Sequence, residues 1–244
     1  MTRSTEGRRR TRSTKRDPSA PGPDAPVIEA IVPDARDPNR RRVRAGGRVV
    51  VTLTADAVDV LNLRVGQPWS NDLRARVAER TLFDNAWRSV LRMLSHRALT
   101  RAEVAARLTR RNLPPDIVER VLADLTAHGW LDDEQVARDA ASSLTARRPM
   151  ARTALSAHLA ARGIDAEVAE RAVRDAVAAG QERHSAIEFA RARRRGLSRL
   201  TPLARMRRVA AALARRGFDE DTIAIALREA GLEVDSVTDE APRR

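Results

Sequence analysis

The sequence predicts an all-α fold in which three tandem three-helix repeats form an elongated curved array. A small β-containing N-terminal extension and a disordered basic N-terminal tail are expected to precede the repeats. A six-residue pattern that begins with leucine occurs three times, closing on the apolar residues Leu113, Ile164 and Phe218. The spacing of 51 and then 54 residues is typical of an internal structural repeat. Apolar residues recur nine positions before and after each closing residue, as expected for helices on both sides of a turn.

The turn inside each repeat is marked by residues that end one helix and begin the next. Gly163 and Gly217 can adopt the left-handed conformation that closes a helix, and Asp165 and Asp219 follow them as N-caps. The first repeat has Asn112 in the glycine position and prolines at the next helix start, where no amide hydrogen bond is lost. These signals predict a second and a third helix in every repeat.

A further helix precedes each of these pairs and completes the repeat. Apolar stripes at helical spacing place the first helices at about residues 84–97, 133–147 and 181–195. In the first repeat, Thr100 followed by Glu103 forms a capping box that starts the second helix. Because only 2% of the residues are aromatic, the helices must pack mainly through Ala, Leu and Val, and neighbouring repeats should support one another.

The segments that flank the repeats differ in composition. The first 46 residues combine arginine runs with Pro, Ser and Thr, and this composition predicts disorder. The β-branched run Arg48–Thr54 predicts a strand, followed by a helical segment Ala55–Asn62 and a short strand at Leu63–Val65. The predicted division is a disordered Arg-rich tail (1–46), an extension with a strand (47–81), three repeats (82–131, 132–180 and 181–231) and an acidic flexible tail (232–244).

The residue content argues against an enzyme. There is no cysteine, the four histidines lie far apart, and the only lysine lies in the predicted tail, so no metal site, thiol chemistry or P-loop is expected. The carboxylate pair Asp132 and Asp133 lies at a predicted helix start, where capping explains it better than acid–base chemistry. We therefore predict no catalytic residue, no metal and no cofactor. No apolar run is long enough to cross a membrane, which predicts a cytoplasmic protein without a membrane partner.

Arginine is the residue type that indicates a binding function. The formal net charge is +13, and residues 181–216 hold eleven arginines against two glutamates. Any single arginine is better explained as part of a solvated helix face, whereas the cluster in the third repeat favours contact with a polyanion. The six Trp and Phe residues are too dispersed to stack on bases and are expected mostly in the core. The candidate partner-binding residues are Arg88, Arg92, Arg97, Arg147, Arg148, Arg152, Arg194, Arg195, Arg199, Arg205, Arg207 and Arg208.

One segment between the first and second repeats resembles a known family signature. Residues 129–137 read Gly-Trp-Leu-Asp-Asp-Glu-Gln-Val-Ala, which resembles the Gly-Tyr-Leu-Asp-Asp-x-x-Phe-Ala signature of the RecX regulatory proteins. Residues 91–97 and 100–104 are similar to the first repeat of that family. The resemblance covers residues 82–231, and residues 47–70 look like the N-terminal extension of some members. Trp130 and Val136 replace the Tyr and Phe of the signature, and the third repeat has a longer arginine-rich junction.

The resemblance implies a modulator of the recombinase RecA. Members of this family are expected to lie in the groove of the RecA filament on single-stranded DNA and to restrain its ATP hydrolysis and strand exchange. Recombination, DNA repair and the SOS response are the processes that the resemblance implies. A monomer is expected, and the arginines would meet acidic residues of RecA, DNA phosphates, or both.

Two other functions fit the residues without the resemblance. A sequence-independent DNA-binding architectural protein would bind any DNA with steep salt dependence and would have no effect on RecA. A helical-repeat scaffold would bind a peptide in an apolar groove, and reversing the charge of the third repeat would leave its binding unchanged.

Overall fold

The structure, a computed structural model, describes residues 25–178 and 180–232. The chain divides into two compact units, Met1–Asn85 and Ala86–Arg244. Residues 1–24 of the predicted basic tail and residues 233–244 of the predicted acidic tail lie outside the described residues.

The first unit is built around a three-stranded antiparallel sheet with the strand order β1-β2-β3. Its strands are β1 (Ile28–Pro33), β2 (Arg40–Ala45) and β3 (Arg48–Thr54), and helix α1 (Ala55–Val60) follows. The predicted strand at Arg48–Thr54 is confirmed, as is the helix after it, which the Thr54 side chain caps by accepting a hydrogen bond from the Ala57 amide. The short strand predicted at residues 63–65 is wrong.

The prediction of disorder up to residue 46 is also wrong for residues 28–45, which include two strands. Strand β2 is rich in arginine, but its inward positions Val43 and Ala45 are buried and pack with Ile28. Gly46 and Gly47 both have positive φ and form the tight turn between β2 and β3. The arginines between the buried positions gave this hairpin the composition of a disordered segment.

The second unit contains the repeats, and its helices come in threes. The first group is α2 (Asn71–Leu94), which starts in the first unit, α3 (Arg101–Thr109) and α4 (Pro115–Ala127). The second is α5 (Asp133–Arg147), α6 (Arg152–Ala161) and α7 (Ala166–Ala176). The third is α8 (Gln181–Arg195), α9 (Pro202–Ala214) and α10 (Glu220–Glu229). The all-α, three-repeat fold class is confirmed, and α5 and α8 have the predicted bounds.

Helix α2 begins earlier than the predicted residue 84. The Leu73 amide donates to Ser70 Oγ at 3.2 Å, so Ser70 caps the start of the helix. Leu73 and Val77 are buried four residues apart on one face, which extends the apolar stripe toward the N-terminus. An ion pair between Arg80 and Asp84 lies one helical turn farther on, with 2.9 Å between Nε and Oδ1.

The predicted turns and caps within the repeats are confirmed. Gly163 and Gly217 have φ of +73° and +82°, and Asn112 has φ of +57° at the equivalent position of the first repeat. The carboxylates of Asp165 and Asp219 accept hydrogen bonds from the first amides of α7 and α10. The left-handed residue and the acidic cap thus fix the path of the chain between the second and third helices.

The cores of the second and third repeats consist mainly of leucine, valine and alanine, as the composition predicts. Ala151, which precedes α6 of the second repeat, belongs to the core of the third repeat, so these two repeats pack directly on each other. Phe218 is buried as expected, but Trp130 is 53% exposed and is an exception to the expectation that the aromatic residues lie mostly in the core. Trp130 lies in the connection between α4 and α5 and directly follows Gly129, which has a positive φ.

Candidate polyanion-binding surface

The structure separates the twelve predicted arginines into two groups. In seven of them the guanidinium is exposed and pairs with no carboxylate or carbonyl among the described residues. Such side chains keep their full hydrogen-bonding capacity for an external anion. We call them the free arginines; they are Arg92, Arg147, Arg148, Arg195, Arg199, Arg207 and Arg208.

The other five predicted arginines are engaged within the fold. Arg88 is half-buried and has a partner of its own. The guanidiniums of the other four bond to nearby acceptors: Arg97 to Glu103, Arg152 to Val177 O, Arg194 to Ala230 O, and Arg205 to carbonyls at residues 197–200. Sequence alone gives no signal that distinguishes the two groups, because the distinction depends on tertiary neighbours.

Arg205 organises the arginine-rich turn between α8 and α9. Its Nε donates to Leu197 O at 3.2 Å, and its NH2 group donates to Ser198 O at 3.1 Å and to Leu200 O at 3.0 Å. A guanidinium that binds three carbonyls holds the turn in one conformation, and two free arginines, Arg195 and Arg199, lie beside or within this turn. The backbone at Arg195 and Arg199 is therefore held in one conformation in the unbound protein.

The first and second repeats are joined through the start of α3. The Thr100 hydroxyl donates to Arg162 O at 2.7 Å, and the Arg101 amide donates to Asp133 Oδ1 at 2.8 Å. A side chain at Gly163 would overlap the methyl group of Ala102, so the glycine allows the second repeat to approach this closely.

Glu103 is the charged centre of this first junction. Its two carboxylate oxygens accept from Nε and NH2 of Arg162, each at 3.2 Å, and one of them also pairs with Arg97 at 3.2 Å. Burial raises the pKa of Glu103, but hydrogen bonds from Arg162, Arg97 and the Thr100 amide outweigh it and hold the pKa below the ordinary value of 4.5. The negative charge of Glu103 thus stabilises the folded state.

Replacing Glu103 by glutamine is expected to lower the free energy of unfolding by about 1.5–3 kcal/mol, the range for hydrogen bonds to charged groups. Because the pKa is lowered on folding, the contribution is present above pH 4.5 and is lost as the pH falls through the folded-state value. Urea unfolding at a series of pH values should therefore show the difference shrinking in acid. Glu119→Gln is the control, because Glu119 pairs with Arg101 in an exposed position; a loss there as large as at Glu103 would contradict the account.

The second and third repeats are joined in a similar way. The Ala151 amide donates to Arg216 O at 3.0 Å, and the Thr153 hydroxyl donates to Gly217 O at 2.9 Å. The Arg152 amide donates to Glu182 Oε1 at 3.2 Å, as the Arg101 amide does to Asp133 in the first junction. In both junctions, residues at the start of the second helix of one repeat form hydrogen bonds to two parts of the next repeat. These parts are its glycine turn and an acidic residue in the first turn of its first helix.

Arg216, which sequence reasoning did not select, lies at this second junction. Its guanidinium carbon is 4.2 Å from the centroid of the Phe189 ring, and its NH1 group donates to Ala212 O at 2.7 Å. Burial and then the charges of Arg148, Arg193 and Arg215 lower the pKa of Arg216. We call these four residues the junction cluster. Of them, only Arg148 was among the predicted residues, because the cluster combines the ends of three helices, α5, α8 and α9, from two repeats.

Metal-binding clusters and membrane-spanning helices are both absent from the part of the chain that the structure describes. Within residues 25–178 and 180–232, no three His, Asp or Glu side chains come together in a way that could hold a metal ion. In the same ranges, no helix is long and apolar enough to cross a membrane.

Tandem three-helix repeats that carry exposed arginines define a helical-repeat protein with a strongly basic surface. Residues 86–125 match the family model described as RecX, first three-helix domain. Proteins named Regulatory protein RecX from Mycobacterium marinum and Mycobacterium tuberculosis are each 40% identical, over 131 and 134 residues. The matches cover 53% of this chain and 75% and 76% of those relatives. The chain belongs to the RecX family of regulatory proteins, which confirms the resemblance seen in residues 129–137.

Solved structures show the same fold. A crystal structure of regulatory protein RecX superposes with a TM-score of 0.71 and covers 85% of this chain and 100% of its own. The crystal structure of RecX from Lactobacillus salivarius superposes with a TM-score of 0.55 over 63% of this chain and 99% of its own. Both are 18% identical to this chain, so they establish the architecture and not the binding residues.

Proposed function

We propose that this chain regulates the recombinase RecA by binding RecA filaments on single-stranded DNA and inhibiting their ATP hydrolysis and strand exchange. The processes affected would be recombination, DNA repair and the SOS response. The observation that carries the proposal is the set of seven free arginines, which occur in all three repeats of a chain that belongs to a family of regulators. Because RecA acts on DNA inside the cell, the proposed site of action is the cytoplasm, and the proposed binding form is the monomer.

The charge distribution supports binding to an extended anionic partner. Guanidiniums that have no internal carboxylate retain their charge for outside partners, and a filament of protein and DNA presents many negative groups in succession. Separate contacts from three linked repeats add together, so modest affinity at each repeat gives strong binding overall. A single bound molecule could in this way restrain several successive RecA subunits.

The test is the effect of the chain on ATP hydrolysis by preformed RecA filaments on single-stranded DNA. We expect hydrolysis to fall when the chain is present at a concentration well below that of RecA, and the inhibition to weaken as salt rises because charge pairs form the contact. Unchanged hydrolysis, together with binding to naked DNA, would contradict the proposal and favour the alternative, a sequence-independent DNA-binding architectural protein without RecA contact.

A further inference from the structure

All three repeats have an arginine two positions before the apolar residue that closes the six-residue pattern, but the partner of this arginine differs from repeat to repeat. In the first repeat, Arg111 donates to the hydroxyl of Ser89. In the second, Arg162 forms a bidentate ion pair with Glu103, the third residue of helix α3 in the preceding repeat. The arginine of a glycine turn is thus neutralised by a carboxylate at the first junction.

The second junction lacks this carboxylate. The third residue of α6, in the place that Glu103 has in α3, is Ala154. Ala154 does lie at the contact, because a Cβ built on Gly217 would be 2.6 Å from the Cβ of Ala154. No carboxylate among the described residues pairs with Arg216. The amide hydrogen bond to an acidic residue of the next repeat is kept at this junction, whereas the carboxylate that would pair with the turn arginine is missing.

The charged neighbours of Arg216 are three arginines. Its guanidinium lies over the ring of Phe189, one helical turn before Arg193, and Arg215 is its neighbour in the chain. Arg148 lies three residues before Ala151, whose amide donates to Arg216 O, and the charges of these three arginines lower the pKa of Arg216.

We propose that the junction cluster, made up of Arg148, Arg193, Arg215 and Arg216, binds a phosphate of the single-stranded DNA backbone, which takes the role that the Glu103 carboxylate has at the first junction. The assignment rests on the proposed function, since that function places the chain on single-stranded DNA. The packing of the second repeat on the third would then be required for DNA binding, because the site exists only where these two repeats meet.

A phosphodiester chain fits this cluster better than an acidic side chain does. Four guanidiniums close together need more than one negative charge, and successive phosphates supply charges at regular intervals along one strand. Each guanidinium presents planar donors that match phosphate oxygens. Arg148 and Arg215 are the C-caps of α5 and α9, and Arg193 lies in the last turn of α8. The negative ends of these helices offset part of the positive charge of the cluster.

The test is direct binding of a fluorescently labelled oligothymidylate, followed by anisotropy without RecA. The variant Arg148→Ala/Arg193→Ala/Arg215→Ala keeps Arg216, which packs on Phe189, and removes three phosphate contacts. We expect at least a tenfold loss of affinity at low salt and a fall of about 2 in the slope of log affinity against log salt, from about 0.7 per contact. The control is Arg48→Ala/Arg74→Ala/Arg76→Ala, three exposed arginines of the first unit, which lowers the net charge equally.

Ala154→Glu provides a second variant, which supplies the missing carboxylate from inside the protein. We expect it to weaken DNA binding, though less than the triple variant does because one carboxylate neutralises only part of the cluster, while its melting temperature stays at or above that of the wild type. Wild-type affinity and salt slope in the triple variant would overturn the proposal, as would an equal loss in the control. A folded Ala154→Glu variant that binds DNA as the wild type does would also overturn it.

The proposed function can fail separately from this assignment. The anisotropy experiment contains no RecA, so it measures the phosphate site alone. If the wild type binds DNA through the junction cluster but leaves RecA hydrolysis unchanged, the site stands and RecA regulation fails. If the wild type inhibits RecA but the triple variant binds DNA as tightly as the wild type, RecA regulation stands and the site fails.

Discussion

Replacing Gly217 by alanine is expected to destabilise the protein by about 3 kcal/mol, from two separate causes. Gly217 has φ of +82°, and the left-handed conformation costs a residue with a Cβ roughly 1–2 kcal/mol. The added Cβ would also lie 2.6 Å from the Cβ of Ala154 and 3.2 Å from its backbone nitrogen. Because backbone atoms cannot rotate away, relief requires the second and third repeats to separate, and overpacking of this kind costs about 1–3 kcal/mol.

Gly129→Ala is the matched control for this prediction. Gly129 has a similar φ of +71°, but nothing lies within 4 Å of a Cβ built there. Urea unfolding should therefore show only the backbone cost at Gly129 and both costs at Gly217. Equal losses of stability in the two variants would mean that the close approach between the repeats does not contribute.

Reversing the charge of Arg199, Arg207 and Arg208 to glutamate is expected to abolish inhibition of RecA while leaving the helical content unchanged. All three are free arginines, so no internal bond is lost. Like charges that face each other across an interface cost several kcal/mol, and each 1.4 kcal/mol is a factor of ten. The concentration for half-maximal inhibition of ATP hydrolysis should rise by at least about a hundredfold.

The choice of arginines decides how this result is interpreted. Arg194 and Arg205 are left intact, because each binds backbone carbonyls and its loss would disturb the fold. The control reverses Arg48, Arg74 and Arg76, which are exposed in the first unit and give the same change of net charge. Circular dichroism checks that both variants keep their helices. Full inhibition by the third-repeat variant would exclude these arginines from the mechanism, and equal loss in the control would point to net charge alone.

The helical repeats could be predicted from sequence because their signals are local. A glycine with positive φ followed by an acidic cap, as at Gly163 and Asp165, determines a helix end and the next helix start within three residues. Strand β2 was missed because its buried residues are only one valine and one alanine among four arginines, so the composition outweighed the alternating pattern. The exposure of Trp130 was missed because aromatic residues are more often buried than exposed.

The candidate site was less predictable than the fold. The sequence places Arg194 and Arg195 side by side, yet the first binds Ala230 O and the second is free. Arg216 could have been found by aligning the repeats, because the equivalent position is arginine in all three copies. Its neighbours could not, because Arg148 and Arg193 come from helices of different repeats that meet only after docking.

The most direct test of RecA as the partner is co-sedimentation of the chain with RecA filaments. Filaments are assembled on single-stranded DNA with a non-hydrolysable ATP analogue, and the same DNA without RecA is run in parallel at moderate salt. The account predicts that the chain pellets with the filaments at concentrations where naked DNA retains little of it, and that the Arg199/Arg207/Arg208 reversal stays in the supernatant. Equal retention on naked DNA and on filaments would contradict RecA recognition.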